Sequence, residues 1–187
     1  MTGEARCAWA GSAPDYVVYH DEEWGRPLRG DAALYERISL EAFQSGLSWI
    51  TILRKREAFR AAFAGFDPEA VSRYDEADVV RLLGDAGIVR NRAKIEATIA
   101  NARATLALAG GLTDLLWSFA PQRHAVPTTM ADIPATTPES VAMAKALKQR
   151  GFRFVGPTTA YALMQATGIV NDHVVDCFTR QTGSVRV

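Results

Sequence analysis

The chain has 187 residues, of which 48% are hydrophobic and 22% are charged, and its formal net charge at pH 7 is zero. Such a length and composition suit one folded unit with a buried core and argue against a disordered chain. No apolar run reaches the roughly 18–20 residues that span a bilayer, and the N-terminus lacks the apolar segment of a secretory signal. We therefore expect a cytoplasmic protein without membrane association.

Helix signals dominate the chain, and alternating apolar and polar runs of strand length are nearly absent. Asp31 is expected to cap a helix that ends at Ser45, and Ser48 to cap one that ends near Phe63. Further helices are predicted to begin at Asp67 and Asp75 and to cover 91–108, 113–119, 138–149 and 157–167, with a proline-rich loop over 121–138. The sequence therefore predicts an all-α fold of many short helices.

The longest apolar stretch, 38–53, reads ISLEAFQSGLSWITIL and holds a single acid, Glu41. Gly46 interrupts this stretch, and Trp49 follows the interruption. Burying a carboxylate among apolar side chains costs several kcal/mol unless the group is paired or hydrogen-bonded. Glu41 is therefore expected either to face solvent or to have a functional partner.

A basic segment without acids covers 140–171. In it one helix ends near Arg150, two glycines permit a tight turn, and a second helix begins near Pro157. The free amides at the start of that helix suit a phosphate. This pattern is typical of a helix-hairpin-helix, which contacts the DNA backbone without reading bases. The alternative is a solvated helix surface whose charge is balanced by nearby acids.

Four of the five cysteines and histidines lie near the ends of the chain: Cys7, His20, His173 and Cys177. His173 and Cys177 are four residues apart, so on a helix they would share a face. Two thiolates and two imidazoles suit tetrahedral zinc. The alternatives are a Cys7–Cys177 disulfide, which the cytosol disfavours, or four unrelated residues. His124, in the proline-rich loop, is expected to be a surface residue.

The N-terminal third is rich in aromatic residues that could surround Glu41: Trp9, Tyr16, Tyr19, Trp24 and Trp49. Any one aromatic residue is most simply a core residue. Together with a carboxylate, however, such rings can form a cage for a flat cation, because ring faces attract cations and the carboxylate accepts its N–H groups. The marker motifs of nucleotide-dependent dehydrogenases, P-loop NTPases and serine hydrolases are absent from the sequence.

Six segments in chain order carry a resemblance to a known family: CAW, YVVYHDEEWG, LEAFQSGLSWITILRKR, DAGIVRNRAKI, KALKQRGFRFVGPTT and GIVNDHVVDC. From about Arg6 to Cys177 the chain resembles the 3-methyladenine DNA glycosylase I family. The resemblance implies a helix-hairpin-helix enzyme of base-excision repair that flips out 3-methyladenine from alkylated double-stranded DNA and removes it by hydrolysis. Free 3-methyladenine is the implied product, without strand cleavage, and we expect a monomer.

The resemblance also implies one structural zinc per chain, held by the two cysteines and the two terminal-region histidines named above. The expected organisation is one compact unit, 1–187. A helical body covers 31–168 with the helix-hairpin-helix at about 138–168, and a zinc-binding segment combines 1–30 with 169–187.

For the active site, the resemblance makes Glu41 and Tyr19 the candidate catalytic residues, with Trp49 stacking on the base. The implied pocket lining is Trp9, Tyr16 and Trp24. The implied DNA contacts are Gly46, Leu47, Lys148, Arg150, Gly151, Arg153, Gly156 and Thr158, with Leu47 a candidate wedge. Asp172 lies where many helix-hairpin-helix glycosylases carry an aspartate, but we assign it no catalytic role. The alternative functions are a non-catalytic DNA-binding module stabilised by zinc and a small-molecule binder.

Overall fold

Ten α-helices and no β-strand lie within residues 5–182, the part of the chain that this computed structural model describes. The helices are α1 Pro14–Glu22, α2 Asp31–Gln44, α3 Trp49–Ala62, α4 Pro68–Ser72, α5 Glu76–Gly84, α6 Arg92–Leu106, α7 Gly111–Trp117, α8 Pro138–Gln149, α9 Pro157–Ala166 and α10 Phe178–Thr182. The predicted all-α class is confirmed. None of the helices in 5–182 is long and apolar enough to cross a bilayer.

Side-chain caps begin α4 and α5 as predicted. Asp67 accepts a hydrogen bond from the Glu69 amide, and Asp75 forms a reciprocal capping box with Asp78. The expectation for Asp31 is wrong, because the capping position of α2 is Gly30. The Asp31 carboxylate instead accepts hydrogen bonds from the amide and hydroxyl of Thr113, at 2.8 and 2.7 Å, and so ties α2 to α7. Ser48 precedes α3 without a side-chain capping bond.

The centre of the molecule is α2, which packs against α3, α6, α7 and α9. Leu34, Tyr35, Ile38 and Phe43 on this helix are completely buried. Each such side chain contributes about 1.5–3 kcal/mol through burial. The core therefore fixes both the position and the rotation of the helix that carries Glu41.

Lys94 of α6 fixes the C-terminal end of α2. Its amine donates hydrogen bonds to the carbonyls of Phe43 and Ser45, where the helix leaves carbonyl groups unpaired. A cation at this end also interacts favourably with the helix dipole. Burial lowers the pKa of Lys94. The turn at Gly46, with φ at +80°, is thereby held against the body of the protein.

The hairpin between α8 and α9 is anchored to α6. Gly151 has φ at +89°, and Phe152 and Val155 are buried beside it. The side chain of Asn101 accepts a hydrogen bond from the amide of Arg153 at 2.7 Å and donates one to its carbonyl at 3.1 Å. The paired helices and the turn follow the predicted helix-hairpin-helix pattern.

The two ends of the described chain meet beside this body. Cys7, Tyr19, Trp24, Ala166 and Cys177 form a second, smaller cluster of buried apolar side chains, and the amide of residue 178 donates to the carbonyl of residue 5 at 2.9 Å. Residues 171–177 are not helical. The helical arrangement considered for His173 and Cys177 is therefore wrong, and a non-helical segment brings them together instead.

Gly168 is expected to tolerate no side chain. Its φ is +70°, and a Cβ atom there would lie 2.5 Å from the carbonyl carbon of Arg26 and 2.6 Å from the nitrogen of Pro27. We expect Gly168→Ala to lower the free energy of unfolding by about 2–4 kcal/mol, since backbone atoms must move. Gly110→Ala is the control, because Gly110 has φ of −103° and open space around it. Denaturant unfolding of both variants measures the difference, and equal losses would contradict the account.

Candidate active site

A cavity of about 350 Å³ opens between the N-terminal segment, α2, α3 and α9. Its volume lies in the range of small-ligand sites. Every candidate base-contacting residue from the sequence lines it: Trp9, Tyr16, Tyr19, Trp24, Glu41 and Trp49. The structure therefore brings together residues that are up to 40 positions apart in the chain.

Glu41 is a buried carboxylate on the cavity wall, with 5% of its surface exposed. Within residues 5–182 its side chain forms no hydrogen bond and no ion pair. Burial raises the pKa of Glu41 to about 7, and the positive charge of Arg37 opposes that rise. The question posed by the sequence is therefore answered: Glu41 faces neither bulk solvent nor a protein partner, but the cavity.

The aromatic walls contact one another at close range. The ring of Trp9 meets the rings of Tyr16 and Trp24 edge-on, with centroids 5.4 and 5.2 Å apart. Tyr19 and Trp49 lie 5.5 Å apart at a tilt of 44°. Such arrangements add to the stabilisation from burial alone. The rings are thus held by their neighbours before any ligand enters.

Polar contacts fix the orientation of several of these aromatic residues. The Tyr16 hydroxyl accepts a hydrogen bond from the amide of Ile50, in the first turn of α3, at 2.9 Å. The Tyr19 hydroxyl accepts one from Arg37 at 3.2 Å. The indole N–H of Trp49 is the buried side-chain polar atom without a partner in the described part of the chain.

Sequence reasoning missed several residues that complete the cavity: Gln44, Met130, Ile133, Ala162 and Gln165. Gln44 follows Glu41 by three positions on α2, so helical spacing could have identified it. Met130 and Ile133 come from the proline-rich loop, and no local pattern links that loop to the cavity. Arg37, one helical turn before Glu41, was also missed although the same spacing pointed to it.

A groove of about 310 Å³ adjoins the cavity and shares Glu41, Gln44 and Ala162 with it. Gly46, Leu47 and Thr158 also line this groove, and 42% of the Leu47 side chain is exposed. The turn between α2 and α3 and the start of α9 therefore face the same opening.

The other candidate DNA contacts lie on or near the hairpin. Lys148, Arg150 and Arg153 are exposed. Gly151 and Gly156 are exposed as well, at the end of α8 and at the capping position of α9. The basic residues of the acid-free segment are thus on the protein surface, which is where a backbone-binding motif requires them.

The four candidate metal ligands converge. Cys7, His20, His173 and Cys177 are all buried, and their ligand atoms lie within 4.8 Å of one another. Nδ1 of His173 is 3.2 Å from Nε2 of His20 and 3.7 and 3.5 Å from the sulfurs of Cys7 and Cys177. Zinc–sulfur bonds of about 2.3 Å and zinc–nitrogen bonds of about 2.0 Å in a tetrahedron place the ligand atoms about 3.3–3.8 Å apart. The donor set therefore fits zinc.

The outer nitrogens of both histidines have partners of their own, and the inner nitrogens face the cluster, where Nδ1 of His173 also lies 2.8 Å from the Thr179 hydroxyl. Nε2 of His173 lies 3.0 Å from the carbonyl oxygen of Trp24, and Nδ1 of His20 lies 2.8 Å from the carboxylate of Asp21. Such contacts fix the tautomer of metal-binding histidines. Burial lowers the pKa of His173 to about 4 and also lowers that of His20. Both shifts favour the neutral ring that ligation requires.

His124 is not simply a surface residue, contrary to the expectation from the sequence. Its Nε2 hydrogen-bonds Asp172, a carboxylate that is 1% exposed. Asp172 also accepts hydrogen bonds from the Tyr161 hydroxyl and the Gln165 amide, both at 2.7 Å. The carboxylate thus links the proline-rich loop to α9.

The chain belongs to the methyladenine glycosylase family, whose model matches residues 9–180. DNA-3-methyladenine glycosylase 1 of Escherichia coli (strain K12) is 51% identical over 177 residues, covering 92% of this chain and 95% of that protein. The family resemblance inferred from the sequence is therefore confirmed.

Solved structures agree with this assignment. A crystal structure of 3-methyladenine DNA glycosylase I has a TM-score of 0.90 and 49% identity, and the match covers 93% of this chain and 98% of that one. A tyrosine-to-phenylalanine variant of a 3-methyladenine DNA glycosylase I, in complex with 3-methyladenine, has a TM-score of 0.88 and 34% identity over 93% and 96% of the two chains.

The raised pKa of Glu41 makes stability depend on pH. Because its folded-state pKa is about 7 and its ordinary value is 4.5, the folded protein loses stability as pH rises between these values. We expect Glu41→Gln to be as stable as the wild type near pH 4.5 and more stable by on the order of 2 kcal/mol at pH 8. Denaturant unfolding at several pH values measures this difference.

Glu57→Gln is the control, since 80% of the Glu57 side chain is exposed. It should show no gain that grows with pH. A Glu41→Gln stability difference that stays constant from pH 4.5 to 8 would contradict the assignment.

Proposed function

We propose that this chain is a base-excision repair enzyme that hydrolyses the N-glycosyl bond of 3-methyladenine in alkylated DNA. The observation that carries the proposal is the buried Glu41 carboxylate, which faces an aromatic cavity and has no protein partner in the described chain. Adenine methylated at N3 in DNA is cationic, so the carboxylate favours it over normal adenine. The rings add stacking and a cation–π attraction of roughly 0.5–2 kcal/mol.

The chemistry needs little acid catalysis. When the bond between the base and C1′ breaks, its electron pair neutralises the cationic base, which leaves as free 3-methyladenine. Water then adds to the oxocarbenium-like sugar and loses a proton, as in other glycoside hydrolyses. Glu41 and Tyr19 hold the base edge, Trp49 stacks on it, and Trp9, Tyr16 and Trp24 complete the lining. No lysine among residues 5–182 lines the cavity, so the proposed activity is monofunctional, without strand cleavage.

The groove beside the cavity is the proposed entry for the flipped nucleotide. Extrusion of a base costs a few kcal/mol, and Leu47 is placed to occupy the gap that it leaves. Gly46 allows the backbone to approach the duplex at the same point. The remaining proposed contacts are to phosphates, through the hairpin and its basic residues: Lys148, Arg150, Gly151, Arg153, Gly156 and Thr158.

The metal proposed for the Cys₂His₂ cluster is one structural zinc per chain. Four protein ligands leave no position for a reacting water. The ion would join the segment 1–30 to the segment 169–187 beside the helical body 31–168. It would thereby hold Trp9, Tyr19 and Trp24 against the cavity. We further propose a monomer that acts in the cytoplasm.

Base release tests the proposed function. Purified protein incubated with methylated DNA should release free 3-methyladenine, measured by chromatography, and should leave abasic sites in an unbroken backbone. Glu41→Gln should weaken binding of free 3-methyladenine roughly 10-fold or more, since it removes a charge-assisted hydrogen bond. Glu57→Gln should bind as the wild type does.

Two results would favour the rival readings. DNA binding without base release indicates a zinc-stapled binding module. Binding of the free base without DNA affinity indicates a small-molecule binder.

Metal analysis tests the zinc proposal. We expect about one zinc per purified chain, and we expect Cys7→Ser to lose the ion and to unfold at a lower temperature. His124→Asn is the control, because this histidine lies outside the cluster, and it should retain the metal. A Cys7–Cys177 disulfide without metal would refute the proposal.

A further inference from the structure

Arg37 is a buried cation beside the cavity that the sequence did not single out. It lies one helical turn before Glu41 on α2, and 8% of its surface is exposed. Its guanidinium carbon lies 5.4 Å from the ring centre of Tyr19 and 5.6 Å from that of Trp49. Burying a charge in this way is costly unless it is paired.

The partners of Arg37 leave Glu41 unpaired. One nitrogen of the guanidinium donates to the carboxylate of Glu23 at 3.2 Å, and the other donates to the hydroxyl oxygen of Tyr19 at 3.2 Å. Glu23 also accepts two hydrogen bonds from Arg56 of α3. This ion-pair network lies behind the aromatic wall and pairs the arginine without using the cavity carboxylate, and Glu23 is shared between two guanidinium groups.

The bond from Arg37 fixes the role of the Tyr19 hydroxyl. A guanidinium has five N–H donors and no acceptor, and it stays protonated in proteins. The tyrosine oxygen must therefore accept from Arg37, and its own proton must point elsewhere. Within residues 5–182 the bond from Arg37 is the one hydrogen bond of this hydroxyl, and Tyr19 lines the cavity. The hydroxyl is thus a donor available to a ligand.

We propose that Arg37 is a positioning residue for base selection: it makes the Tyr19 hydroxyl an obligate donor beside the acceptor Glu41. The inference rests on the proposed function and adds a specificity rule to it. The Tyr19 hydroxyl can donate to an unprotonated ring nitrogen, and the Glu41 carboxylate can accept from a neighbouring amino group. The pair therefore complements a base edge that carries both groups side by side. Adenine presents such a pair at N6 with N1 and at N6 with N7. A 6-oxo purine presents two acceptors at the N7 edge, which the carboxylate disfavours.

Binding of free bases tests the proposal. The probes are 3-methyladenine and its two analogues in which N1 or N7 is replaced by C–H. The wild type should bind 3-methyladenine roughly five- to tenfold more tightly than one of the two analogues, the loss expected for one hydrogen bond. Arg37→Met should lower that ratio at least about twofold, because the hydroxyl proton is then no longer directed away from the Arg37 side and toward the ligand. Arg37→Lys, which keeps a charged donor, should retain part of the preference.

A double-mutant cycle separates positioning from general damage. Tyr19→Phe should abolish the preference, and Arg37→Met should change it no further in that background. Arg81→Met is the matched control, since Arg81 also lies over a tyrosine ring, 5.3 Å from that of Tyr74, away from the cavity. It should leave the ratio unchanged. Thermal unfolding of each variant establishes that it is folded.

An unchanged ratio in Arg37→Met would overturn the proposal, whether or not that variant weakens all three ligands, and so would an unchanged ratio in Tyr19→Phe. If Arg37→Met does not fold, Tyr19→Phe still decides whether the hydroxyl is the donor, and Arg37→Lys still tests the role of the arginine. Absence of any 3-methyladenine binding by the wild type would instead overturn the proposed function. A wild type that binds all three bases equally would overturn the Arg37 inference alone.

Discussion

The convergence of Cys7, His20, His173 and Cys177 is the constraint on which the cavity depends. The first and last of these residues are 170 positions apart, yet their ligand atoms fall within 4.8 Å of the others. The helical body supplies one side of the cavity through α2, α3 and α9. The other side, with Trp9, Tyr19 and Trp24, belongs to a segment whose own buried cluster is small. Apolar contacts alone give such a segment little stability, so the polar junction of the chain ends adds to the ion pairs of Glu23 with α2 and α3 in holding the aromatic walls in place.

The charged side chains at the cavity fall into two groups, one behind the aromatic wall and one on the cavity surface. Arg37 and Arg56 share the carboxylate of Glu23 behind the wall, and Glu41 is the one charged side chain among residues 5–182 that lines the cavity. This division leaves the carboxylate in an environment that raises its pKa. A cationic ligand would relieve that cost. Strain of this kind is common at functional sites, where groups with perturbed pKa values concentrate.

Local chemistry explains which parts of the structure could be predicted from the sequence. The starts at Asp67 and Asp75 follow from capping, which involves residues two or three positions apart. Asp31 was misjudged because its carboxylate binds Thr113, 82 residues away, instead of its own helix. His124 was misjudged for the same reason, since its partner Asp172 is distant in sequence. The family resemblance identified the cavity residues, whereas the contribution of the proline-rich loop required the tertiary structure.

The short non-helical segment 171–177 is connected to more than the metal cluster. Asp172 holds His124, and the amide of Val175 donates to the carbonyl of Pro127 at 2.9 Å. The loop anchored at these points supplies Met130 and Ile133 to the cavity. The N-terminal aromatic wall and the wall formed by the proline-rich loop are thus both attached to the segment 171–177. Local unfolding of this segment would release both walls together. We therefore expect the cavity to form and to be lost as a single cooperative unit, and not to open one wall at a time.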